Sequence, residues 1–123
     1  MLQGERLTEF QELYWRKQAC VFRNAIDLSA YPIAVNDVCQ LTLSELVESR
    51  MINAKHQLLL GPFENTDASQ GFVPENHLLL VQCLEQYLDS AQSLLRDQFH
   101  FVSAWQVDDV MASVGNTGAT CGA

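Results

Sequence analysis

Three residues of one stretch, Arg50, His56 and Gln57, have side chains able to do chemistry together. Arginine supplies a permanent, forked cation suited to carboxylate or phosphate, and histidine is the side chain that exchanges a proton near neutral pH. Read as part of a helix, Arg50 and Gln57 fall two turns apart on the apolar stripe of Leu43, Leu46, Val47, Met51, Ala54 and Leu58, where two more aliphatic residues are expected. A polar group on a core-facing stripe must find a partner or an opening. Arg50 therefore either reaches the surface and pairs with an acid, or lines a polar pocket or an interface. On a straight helix His56 points about 120° away from Arg50, so a shared site needs a bend or a second chain. The remaining donors are weaker. Asp97 and His100 are three apart, but metal-binding bundles need a second such pair with further inward acids, and there is none. Cys20, Cys39, Cys83 and Cys121 are widely separated without a C-x-x-C pair, and no glycine-rich phosphate loop or matched nucleophile and base can be assembled. No metal and no cofactor is expected.

Two resemblances attach to these residues. Arg50-Met51-Ile52-Asn53-Ala54-Lys55-His56 resembles the arginine-to-histidine signature of the HEPN family of small helical ribonucleases and nucleotide-binding proteins, with Met51 where that family carries a polar residue. His56-Gln57-Leu58-Leu59-Leu60-Gly61 resembles the histidine phosphotransfer domains, four-helix bundles that carry a phosphorylatable histidine. No lysine follows His56 here, which removes a cation that would help hold phosphoryl oxygens. These resemblances imply an alternative function, a small helical enzyme or phosphotransfer-like protein using His56 with Arg50.

The elements that must position such residues read as helices. The clearest amphipathic pattern runs from Pro74 to Val102, with Cys83, Leu84, Tyr87, Leu88, Ala91, Leu94, Leu95, Phe99 and Val102 on one arc. An earlier helix is predicted from Thr8, with Gln11 completing a capping box, to Leu28; its apolar residues, among them Trp15 and Phe22, spread over more than half the circumference. Pro32 breaks the chain, and a second helix starting near Asn36 or at Thr42 ends at Gly61-Pro62. Phe63 to Val73 reads as a polar loop or lid, and Val107 to Val114 as a short last helix. The expected fold is all-α: a bundle of three long helices plus one short C-terminal helix, a single domain over residues 1–115 with a flexible tail over 116–123.

Charge narrows the function. The 123 residues carry 7 basic and 15 acidic side chains, net −8, and the part after Leu60 holds eight of the acids and only Arg96 as a base. Such a field repels phosphates, so neither nucleic acid nor an anionic membrane is expected as a partner. No secretory signal is legible at the first residues and no apolar run approaches a membrane span, which places the protein in the cytoplasm. The leading expectation is a non-enzymatic interaction or regulatory module, adaptor- or chaperone-like. It would form a homodimer or bind a partner protein through Trp15 and Phe22, with Arg50, His56 and Gln57 as further binding candidates.

Overall fold

The computed structural model describes residues 4–64 and 73–120, and within them an antiparallel sheet lies against short helices. The chain opens with α1 (Glu5–Glu9), continued by a π-helical turn over Phe10–Tyr14. A 3-10 turn at Leu28–Ala30 leads to α2 (Val35–Leu41). Two strands follow, β1 (Ser49–Ile52) and β2 (Leu58–Leu60), then β3 (Leu78–Val81), α3 (Asp89–Gln98) and β4 (Ala112–Gly115). The strand order is β2-β1-β3-β4 and every pair is antiparallel.

The all-α bundle is therefore corrected, and the reasons are local. Leu78-Leu79-Leu80-Val81 belongs to a helical arc only if the chain is already helical. As a run of four apolar residues it also fits a strand that meets apolar surroundings on both faces, and leucine's helix propensity is too weak to decide against tertiary pairing. The expected second helix is interrupted at Asn53. Its Oδ1 accepts the N–H groups of Lys55 at 2.9 Å and Gln57 at 3.0 Å, and His56 adopts φ 58°, a reversal that turns β1 back along β2. Thr42, expected to start a helix, instead ends α2, with its Oγ1 donating to Cys39 O at 2.7 Å. The first helix stops at Tyr14, since Trp15 has an extended ψ of 117°, and the expected last helix is β4. Of the long third helix, only Asp89–Gln98 is α-helical, with Asp89 in its first turn and Arg96 in its last, each suited to the helix dipole. Of the expected lid, Asn65 to Phe72 lie outside the described residues, as do Cys121 and the end of the tail.

Register sorts the sheet into two faces, because residues opposite one another across a ladder share a side. The inner face carries Met51, Leu79 and Val81, all at most 3% exposed, and packs on Val38 and Cys39 of α2, Leu84, and Ala91 of α3. The outer face carries Leu60, Arg50, Leu80 and Ser113 in one row and Leu58, Ile52, Leu78 and Gly115 in the next. Among the described residues no helix is long and apolar enough to cross a membrane.

Candidate functional site

Polar side chains converge at one end of the outer sheet face. Arg50, half-buried near the middle of β1, donates from Nη2 both to Glu48 Oε1 and to Gln82 Oε1, and Gln82 follows directly on β3. Glu48, Arg50 and Gln82 sit at the same end because Gln82 N–H also donates to Glu48 O at 3.0 Å, extending the β1–β3 ladder by one bond. Gln82 Nε2 reaches Asp109 Oδ2 at 3.5 Å, and the same oxygen accepts the N–H of Cys83 at 3.0 Å.

Cys83 is held in the left-handed region at φ 57°, a conformation that costs a non-glycine residue about 1 kcal/mol and persists only where the surroundings impose it. What imposes it is a clamp. Asp109 takes the Cys83 N–H, Leu84 N–H donates to Val110 O at 3.0 Å, and Glu85 Oε2 takes the Val110 N–H at 3.0 Å. The residues leading into β4 are thereby tied to the turn that leaves β3. Desolvation, followed by the charges of Glu85, Asp109, Glu48 and Asp108, pushes the Cys83 thiol above its ordinary pKa. Cys39, fully buried beneath the sheet, is raised by desolvation alone. No disulfide joins the described cysteines Cys20, Cys39 and Cys83.

Three open hollows accompany this end of the molecule. The largest, about 590 Å³, is apolar and lies between α3 and the approach to β4, against Phe10, Trp15, Leu94, Phe99, Phe101 and Met111. A second of about 410 Å³ shares Leu95, Phe99, Val102 and Val107 with it and is edged by Glu85, Arg96, His100 and Asp108. The third, about 370 Å³, lies beside Arg50 and is lined by Glu45, Glu48, Ser49, Leu60 and Gly61.

The structure separates most of the residues the sequence singled out. Arg50 does find polar partners, but on a strand. His56 sits exposed in the β1–β2 turn, and Gln57 Oε1 accepts from Asn53 Nδ2 at 3.0 Å, so both belong to the turn rather than to a site with Arg50. Trp15 and Phe22 enter an aromatic cluster of the chain's own residues: Phe10 meets Trp15 edge-on at 5.3 Å and Phe22 at 6.0 Å, and Trp15 meets Phe101 at 6.0 Å. Gln82, Asp109 and Glu85 escaped the sequence reading. A polar residue directly after an apolar strand, and paired acids before another, are the only marks they leave.

A metal centre does not fit the described residues. No three of their His, Cys, Asp and Glu side chains converge. His77 Nδ1 lies 2.8 Å from Glu75 O, His100 Nδ1 lies 3.2 Å from Asp97 O, and Asp109 and Glu85 spend a carboxylate oxygen on backbone N–H groups.

Comparison with known proteins gives the geometry its context. No family model matches the chain. A probable ribosomal oxygenase of Haemophilus influenzae is 28% identical over 113 residues, which span 89% of this chain and 27% of that protein. A solved structure of Escherichia coli YcfD superposes on 91% of this chain with a TM-score of 0.71 at 30% identity. Over that length the chain shares the fold of the matching part of YcfD. Two further YcfD structures, described as a ribosomal oxygenase in complex with cobalt and succinic acid and with cobalt and 2-oxoglutarate, match with TM-scores of 0.72 and 0.69 at 28% and 27% identity. Each match covers 92% of this chain and 31% of the other. The chain thus spans just under a third of the length of the proteins it resembles. The expectations of a non-enzymatic adaptor- or chaperone-like module, and of no enzyme, are overturned by this likeness, because the proteins that share the fold and up to 30% of the sequence are oxygenases.

Proposed function

We propose that this chain forms the supporting part of an oxygenase that uses 2-oxoglutarate and acts on a ribosomal component. The observation that carries the reading is the alignment of 91% of the chain with YcfD at 30% identity. Its own residues provide order rather than reacting groups: Arg50, Gln82 and Asp109 fasten β1, β3 and the entry to β4 to one another. The described residues offer no metal-donor set, so no chemical step is assigned to them. A net charge of −8 favours a basic ribosomal protein over ribosomal RNA as the component approached, and such a substrate would be met in the cytoplasm.

The test is consumption of 2-oxoglutarate by the native protein that carries this sequence, supplied with ribosomal proteins and a divalent metal. Conversion to succinate that depends on the ribosomal protein supports the reading. A native protein that converts none in the presence of iron or cobalt overturns it.

A further inference from the structure

β2 is an edge strand, and among the described residues no strand pairs with its outer side. Which backbone groups face outwards follows from those that face β1. Gly61 N–H donates to Ser49 O at 2.9 Å, and Gln57 O accepts from Asn53 N–H at 3.1 Å. Hydrogen-bonding direction alternates along a strand, so the N–H and C=O of Leu58 and Leu60 point away from the sheet. The side chains are as bare: Leu58 is 57%, Leu59 43% and Leu60 71% exposed. Open edges are ordinarily guarded by charge on the strand itself, and here three consecutive leucines stand in its place. Charge flanks the strand instead, with opposite signs at its two ends. The turn before β2 carries Lys55; past Gly61 comes Glu64, and Glu45 lines the same hollow as Leu60 and Gly61. All three charges are exposed and stand outside the ion pairs of Arg50 and Arg96.

We propose that β2 is a self-complementary edge at which a second copy of this chain pairs antiparallel, β2 against β2, about a twofold axis through Leu59. Such pairing places Leu58 of each copy opposite Leu60 of the other, where the outward N–H and C=O groups satisfy one another and the side chains join on the outer face. Leu59 meets its own counterpart on the axis. Pro62, with no N–H to offer, ends the outward row after Leu60. Reversal of direction sets the Lys55 end of each copy beside the Glu45 and Glu64 end of the other, so the attraction is made twice. The occupant follows from this pattern. A net charge of −8 opposes the approach of two copies in general, and at β2 the reversal alone brings opposite charges together. A foreign strand would have to match a leucine triplet and both flanking charges, which the chain itself already carries. With a ladder this short the dimer is weak and concentration-dependent.

A disulfide tests the axis. Across a non-hydrogen-bonded antiparallel pair the two Cα atoms stand about 4.5 Å apart, within the roughly 4.4–6.8 Å that a disulfide spans. The two copies of residue 55, at opposite ends of the paired strands, are about 25 Å apart. Leu59→Cys and Lys55→Cys are compared under mild oxidation in the native protein that carries this sequence, with linked peptides located by mass. A link from residue 59 to residue 59 is necessarily between copies. If β2 pairs as proposed, it forms at least about 10-fold faster than the link from 55 to 55. Equal rates, or no link at 59, overturn the proposal. Sedimentation over a range of protein concentrations reads the flanking charges and serves equally should Leu59→Cys fail to fold. Lys55→Glu weakens self-association by about 3- to 10-fold, and Glu64→Lys in the same chain recovers part of that loss. Self-association that neither substitution moves overturns the proposal.

Discussion

Gln98 donates its Nε2 amide to the Tyr31 hydroxyl at 2.7 Å, joining the last turn of α3 to the residue after the first 3-10 turn across 67 positions of sequence. The hydroxyl in turn lies 3.4 Å from Asp97 Oδ2, to which it donates. Both Tyr31 and Gln98 are buried, at 8% and 3% exposure. Removing the hydroxyl leaves a buried amide without its partner, so Tyr31→Phe lowers stability by about 1–3 kcal/mol. Urea unfolding checks this: the midpoint falls while the slope stays unchanged.

The Asp109 clamp predicts opposite signs for two neighbouring substitutions. Asp109→Ala removes the acceptor of the Cys83 N–H and costs about 1–3 kcal/mol. Cys83→Gly, with Asp109 in place, relieves the left-handed strain and raises stability by roughly 0.5 kcal/mol after glycine's extra chain entropy is subtracted. Thermal unfolding of both variants beside the parent measures the pair.

Cys83 also sets a pH dependence. Its thiol is raised in the folded protein, by desolvation first and then by Glu85, Asp109, Glu48 and Asp108, from an ordinary value of 9.0. Below that value both folded and unfolded states hold the proton and the contribution is fully present. As pH climbs above it the unfolded state releases its proton first, and stability falls until the folded thiol also ionises. Glu85→Gln removes one of the charges while keeping an acceptor for Val110, so iodoacetamide modifies Cys83 faster in this variant at pH 8. An unchanged rate, mapped by peptide mass, contradicts the assignment.

Gly61 is needed for space. A Cβ there would stand 2.1 Å from Ser49 Oγ and 3.3 Å from Ser49 O, next to the bond in which Gly61 N–H donates to Ser49 O at 2.9 Å. Gly61→Ala costs about 1–3 kcal/mol by overpacking. Ser49→Ala in the same molecule recovers much of that, and a double-mutant cycle gives the coupling directly.

What the sequence revealed depended on how far apart the deciding residues were. The helicity of Asp89–Gln98 was legible because its apolar and polar residues alternate at helical period within ten positions. Gly61-Pro62 marked a true end, though of β2 rather than of a helix. The strands were not legible. β1 takes its pattern of burial from β3, whose Leu79 lies opposite Met51 though it stands 28 positions later in the chain, and leucine-rich strands carry no β-branched signature. Arg50 stood out as polar among apolar neighbours for a sound reason, since it needed partners. Those partners, Glu48 two residues back and Gln82 on another strand, align with it only once strand geometry replaces helical geometry. His56 and Gln57 were marked for chemistry but serve Asn53 in turning the chain.

The order β2-β1-β3-β4 also dictates an assembly sequence. Among the described strands only β1 and β2 are neighbours through a short turn, Asn53–Gln57, whereas β3 must return across a long connection to find β1, and β4 must pass beyond α3 to find β3. Loop closure makes the hairpin the first piece of sheet, on a timescale of about 1–10 μs, with the distant pairings slower. The hairpin then presents a bare β1 edge as a template for β3, and β3 in turn presents one for β4. Within this sheet β4 therefore pairs after β3, and the Asp109 and Glu85 clamps close only once that pairing has formed.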